Sequence, residues 1–95
     1  MSTIDEDVVA QLRAMARKGE SPSRILRELI SLLPTNASHK VTLINYTRAA
    51  FGLTLAQASP IAGWSADDAG EIKDTQLNEL VEPGILDNRS QWAID

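Results

Sequence analysis

Arg48-Ala49-Ala50-Phe51-Gly52-Leu53-Thr54-Leu55-Ala56-Gln57-Ala58 decides how this chain folds. A glycine after an apolar helix end supplies the left-handed residue that closes it. Thr54-Leu55-Ala56-Gln57 is then a T-x-x-Q capping box, which opens a second helix almost at once. Two helices joined by so short a turn make a helix–turn–helix hairpin. The first reaches back to His39 or Lys40, with Val41, Ile44, Thr47 and Phe51 expected on its inner face. The second meets Pro60 where its second turn should donate hydrogen bonds. The pattern predicts a short helix near 55–62, kinked or broken at Pro60 and ended by Gly63.

Both flanks of the hairpin read as helix. Towards the N-terminus, Thr3 and Glu6 form a T-x-x-E capping pattern, and Ile4, Val8, Leu12, Met15 and Ala16 recur at helical spacing. Arg17 and Lys18 suit the negative helix end, and Gly19 closes it. Ser21-Pro22 starts another helix, with serine as cap and proline in the first position. Its apolar set of Ile25, Leu26, Leu29, Ile30, Leu32 and Leu33 is wider than one stripe, which predicts the central helix of the fold. Pro34 ends it and 35–38 connect to the hairpin. Beyond the hairpin, 65–74 is polar and reads as a loop. A last helix is capped by Asp74 or Thr75 and carries Leu77, Leu80 and Val81, with Pro83-Gly84 expected to interrupt it. Ile85, Leu86, Trp92 and Ile94 imply a tail that packs back. No stretch alternates as a strand does. The expectation is all-α: residues 1–95 as one bundle of four or five helices around the hairpin.

The 95 residues allow a single core. The chain has no cysteine, so neither a disulfide nor a thiolate metal site is available. Its start, Ser2-Thr3-Ile4-Asp5-Glu6-Asp7, is acidic where a secretory leader is basic and then apolar. No apolar run approaches the ~18 residues that span a bilayer. A cytoplasmic protein with no membrane partner is the resulting expectation.

Charge is segregated along the chain. Residues 1–50 carry seven Lys/Arg against five Asp/Glu, whereas 51–95 carry two against eight, within a net charge of −4. The cations Arg13, Arg17, Lys18, Arg24 and Arg27 are interrupted by Glu20 and Glu28 and read as solvated helix faces. The late acids are Asp67, Asp68, Glu71, Asp74, Glu79, Glu82, Asp87 and Asp95, and Trp64 and Trp92 bracket most of them. An acidic lobe carrying amphipathic aromatics is a docking surface for something basic. The candidate partner-binding residues are therefore Trp64, Asp67, Asp68, Glu71, Asp74, Glu79, Glu82, Asp87 and Trp92. For each tryptophan the competing reading is core filling.

Catalytic chemistry finds little here. His39 is the single histidine, and at a helix start it reads as solvent-exposed. No G-x-S-x-G or S-x-x-K pattern and no phosphate-binding glycine loop occurs. Ser65 to Gln76 places Asp67, Gly70 and Ile72 as a calcium loop would. However, Ala69 removes a ligand, and Gln76 replaces the bidentate glutamate. The chain is read as a non-enzyme, with no catalytic residue, cofactor or metal.

Three resemblances bear on function. The hairpin with its ending Ala62-Gly63-Trp64-Ser65 resembles the first half of the phage-repressor-type DNA-binding domain. That resemblance implies a recognition helix next, where this chain has Ala66-Asp67-Asp68-Ala69-Gly70-Glu71, three carboxylates that DNA phosphates would repel. Lys40 through Ala58 also resembles the carboxy-terminal domain of the ribosomal stalk protein, which implies a strand on either side. In size, charge and architecture the whole chain is similar to the small acidic helical immunity proteins of bacterial toxins, those of contact-dependent inhibition systems among them. That similarity implies a non-enzymatic protein that neutralises a basic partner, a cognate nuclease toxin. The alternatives are a helix–turn–helix transcriptional regulator and a translation-associated adaptor, and nucleic acid is disfavoured as a partner by the acidic balance.

Overall fold

A computed structural model describes residues 4–33, 40–65 and 70–93. Its elements run α1 (Glu6–Arg17), α2 (Pro22–Leu32), α3 (Lys40–Phe51), α4 (Leu55–Ala58), a 3-10 turn (Ser59–Gly63), α5 (Asp74–Asp87) and α6 (Arg89–Trp92). The described residues contain no strand; Trp64 and Ile72 form one isolated parallel bridge. The fold is all-α, as its sequence periodicity predicts.

The hairpin forms as its signals dictate. Gly52 adopts φ +67° at the end of α3. The Thr54 hydroxyl accepts from the Gln57 amide at 3.1 Å, and the Gln57 side chain accepts from the Thr54 amide at 2.9 Å. Pro60 converts the second helix to 3-10 after one α turn, and Gly63 ends it. On α3 the buried set is Leu43, Tyr46, Thr47, Ala50 and Phe51, a stripe of period 3.6. Val41, expected inside, is 67% exposed because it lies off that stripe.

The α1–α2 turn is a Schellman motif: Glu20 N–H donates to the Met15 carbonyl at 3.1 Å and Gly19 N–H to that of Ala16 at 3.0 Å. Two expected caps are replaced. Asp5 caps α1, its carboxylate accepting from the Asp7 amide at 2.9 Å, while Thr3 lies outside the described residues. Ser21 precedes α2, but its hydroxyl pairs with that of Ser23. The Ser23 amide donates instead to Asn78 Oδ1 of α5, at 2.9 Å. A cap from a distant helix ties α2 to α5.

α3, not α2, is the hub. It packs against α1, α2, α4, the 3-10 turn and α6, whereas α2 meets α1, α3 and α5. The carboxy-terminal carbonyls of α3 are satisfied from two directions. Arg13 of α1 donates Nε to the Ala50 carbonyl at 2.8 Å and Nη2 to that of Ala49 at 3.3 Å. Asn88 donates to Phe51 and Gly52 at 3.1 and 3.0 Å. Orphan carbonyls at a helix end must find donors, and meeting that need here draws α1 and the α5–α6 junction onto the hairpin.

α5 corrects the expected break. It runs unbroken through Pro83-Gly84. Pro83 lies on the exposed side, so the lost bond to the Glu79 carbonyl falls where water can replace it. Gly84 is buried against the hairpin: a Cβ there would lie 3.1 Å from Leu53 Cδ2 and 3.3 Å from Gln57 Cδ. The pair is a crossing point, and not a stop signal. The inward stripe of α5 is Leu77, Val81, Gly84 and Ile85. Leu80 and Leu86, expected inside, are 55% and 53% exposed. Trp92 does pack back, as expected, while Ile94 lies outside the described residues.

Candidate functional site

The acids and tryptophans singled out from the sequence do not, among the described residues, form one surface. Trp64 is 1% exposed and Trp92 2%, so both belong to the core and neither serves as a surface anchor. Their polar edges are satisfied internally. Trp64 Nε1 donates to Asp74 Oδ1 at 2.8 Å, and Trp92 Nε1 to the Ile85 carbonyl at 2.7 Å. Trp92 also stands edge-on to Phe51, with centroids 5.4 Å apart and ring planes at 79°.

Asp74 is likewise committed to the fold. Arg27 grips it through both carboxylate oxygens, at 2.7 and 3.1 Å, and stacks its guanidinium 5.3 Å from the centroid of the Trp64 ring. The Arg27 hydrogen bond, followed by that of Trp64, holds this carboxyl below its ordinary value of 3.8. A carboxylate held this way does not cap α5; Lys73 occupies the cap position and Asp74 the first turn. Asp67 and Asp68 lie outside the described residues, and Glu71 is exposed beside the 3-10 turn.

What remains together is on α5. Glu79, Glu82, Pro83, Leu86 and Asp87 fall at i, i+3, i+4, i+7 and i+8, one helical stripe. All five are exposed, opposite the buried stripe. Among the described residues none of these three carboxylates has an ion-pair partner. Asp87 stands in the last turn, at the negative end of the helix dipole, and that turn carries no basic residue of its own. The surface therefore combines unpaired negative charge with two exposed apolar side chains. The acids of this stripe are legible from the sequence; Pro83 and Leu86 are not, because Pro83-Gly84 reads as a break and Leu86 as part of a packed tail.

The basic third is also dispersed. Arg13 caps α3, Arg27 grips Asp74, and Arg24 pairs with Glu20 of its own flank at 3.1 Å. A hollow of about 560 Å³ opens between α1, Ala49 and Trp92. It carries Glu6, Arg13 and Arg17, of which Arg13 is turned to the α3 carbonyls. Among the described residues no group of three His, Asp or Glu is placed to hold a metal ion, and no helix is long and apolar enough to cross a membrane. Gly70–Lys73 are non-helical and α5 starts only at Asp74, so those residues offer no recognition helix directly after the hairpin. Comparison with family models, with curated proteins and with solved structures returns no significant match.

Proposed function

We propose that this chain is a non-enzymatic binding protein that neutralises a basic protein partner, docking it on the outward stripe of α5. The supporting observation is that Glu79, Glu82 and Asp87 flank the exposed Pro83 and Leu86 on one helix face, and that none of the three has an ion-pair partner among the described residues. Complementary charge on such a face speeds encounter, and the apolar side chains slow release. Asp87 adds weight to the reading, since a carboxylate at a helix C-terminus opposes stability and is better explained by a partner than by the fold. Within this class, an immunity protein blocking a nuclease toxin fits best, because a nuclease cleft must be cationic to hold phosphates.

The DNA-binding alternative draws no support from the dispersed arginines, and the adaptor alternative rests on the hairpin alone. The test uses a nuclease encoded beside this chain. The wild-type chain should inhibit it at one-to-one stoichiometry, with association slowing steeply as salt rises. Reversal of Glu79, Glu82 and Asp87 together to Lys should abolish inhibition. Full inhibition by that triple variant would refute the docking face.

A further inference from the structure

Beside the α5 stripe lies a pit of about 60 Å³, where the α1–α2 turn meets the carboxy-terminal half of α5. Ile25, Ile85, Leu86 and Trp92 line its apolar wall, and Glu20 and Glu82 stand among its lining residues from two different elements. Among the described residues no lysine or arginine lines it. Size selects the occupant. A water needs about 10–15 Å³ of such space, whereas drug-sized ligands fill roughly 300–1,000 Å³. The pit therefore matches the end of one side chain and not a free cofactor.

Charge selects further. Glu82 has no ion-pair partner among the described residues, and Glu20 holds only Arg24, whose side chain is 72% exposed. The carboxy-terminal turn of α1 reaches the pit at Ala16 and Gly19, adding the negative end of a helix dipole. Arg17, in that same turn, lines the larger hollow instead. An apolar wall with two carboxylates in the same lining suits a side chain with an aliphatic stem and a cationic head.

We propose that the pit receives the end of one lysine or arginine side chain of the basic partner, the stem against Ile25, Ile85 and Leu86 and the charge between Glu20 and Glu82. The inference rests on the reading of α5 as a docking face, and it adds the α1–α2 turn as a second contributor. It makes Glu20, far from the acidic half of the sequence, a specificity residue.

The experiment titrates the isotope-labelled chain with Nα-acetyl-arginine amide and, separately, with Nα-acetyl-citrulline amide, which keeps the shape and loses the charge. Saturable shifts at the amides of Glu20, Glu82 and Leu86 and at the Trp92 indole N–H are expected with the arginine probe. The citrulline probe, and the arginine probe on Glu20→Gln with Glu82→Gln, should bind roughly three- to tenfold more weakly. Equal shifts with both probes, shifts unaltered in the double variant, or shifts confined elsewhere would each overturn the inference. Glu79 and Asp87 do not line the pit, so reversing those two tests the α5 reading separately. Partner binding lost on that reversal but unchanged in the Glu20→Gln, Glu82→Gln variant would retain the docking face and overturn the pit.

Discussion

Trp64 and Asp74 are joined by an indole-to-carboxylate hydrogen bond of 2.8 Å, and Arg27 closes over both. The three residues come from the end of the 3-10 turn, the first turn of α5 and the middle of α2. Two segments far apart in sequence are thus fastened to the same buried ring, with the non-helical Gly70–Lys73 beside it.

This lock gives stability a pH dependence of defined sign. The Asp74 carboxyl is held below its ordinary value, first by Arg27 and then by Trp64. A folded pKa below the ordinary 3.8 of the unfolded chain means that the carboxylate stabilises fully above about pH 4. That contribution fades as pH falls through the folded value. The Asp74 side chain is 39% exposed, so solvent screening limits the pair to about 1 kcal/mol. Asp74→Asn keeps an acceptor for the indole and should lose about that much at pH 7. Urea midpoints measured from pH 7 to pH 2 should show the two proteins converging in acid.

Gly70 is required for space, and not for an unusual backbone angle. A Cβ there would stand 2.6 Å from the Gly63 carbonyl oxygen and 2.7 Å from the Ser65 nitrogen, atoms of the backbone that no rotamer change can move. Gly70→Ala should cost about 2 kcal/mol, in the range of overpacked sites. Gly84→Ala is the comparison. Its nearest neighbours are the side chains of Leu53 and Gln57, and alanine favours helix by about 1 kcal/mol. Thermal melts should show Gly70→Ala strongly destabilised and Gly84→Ala close to wild type.

The local part of this fold was readable from the chain and the distant part was not. Gly19, Gly52, the Thr54–Gln57 box and the effect of Pro60 each act within four residues, and each appears where its chemistry puts it. Three of the differences involve partners far away. The Asn78 cap on α2, the Arg13 cap on α3 and the Arg27 grip on Asp74 span 55, 37 and 47 residues. Asp74 looked like one acid among many because its cation lies in another helix. Val41, Leu80 and Leu86 were placed inside on apolar character, although the stripe defined by their own helices excludes them.

Trp92 carries a prediction that separates packing from hydrogen bonding. Its indole N–H is the donor to the Ile85 carbonyl near the end of α5, at 2.7 Å in a buried setting. Trp92→Phe retains an aromatic ring beside Phe51 but removes that donor. Leaving a buried acceptor unpaired costs about 1–3 kcal/mol. Trp92→Ala also empties the core and should cost about 3–5 kcal/mol. Chemical denaturation of the two variants should rank them in that order, both below wild type.

Asp87 gives the prediction in which stability and binding move in opposite directions. It occupies the last turn of α5, where the helix dipole is negative, and Arg89 at the start of α6 forms no ion pair with it. A cation at such a position is favourable by about 0.3–1 kcal/mol. Asp87→Lys should therefore raise the melting temperature by a few degrees, a shift expected of a domain this size. If the outward stripe of α5 meets a basic protein, the same substitution places like charges face to face and weakens the complex. Reversing Glu79, on the same stripe but away from the helix end, should weaken the complex without the gain in stability. Melting curves and titration calorimetry on the two single variants read both quantities. A stabilised Asp87→Lys chain that binds its partner at full strength would mean that the acid at this helix end serves neither the fold nor the contact.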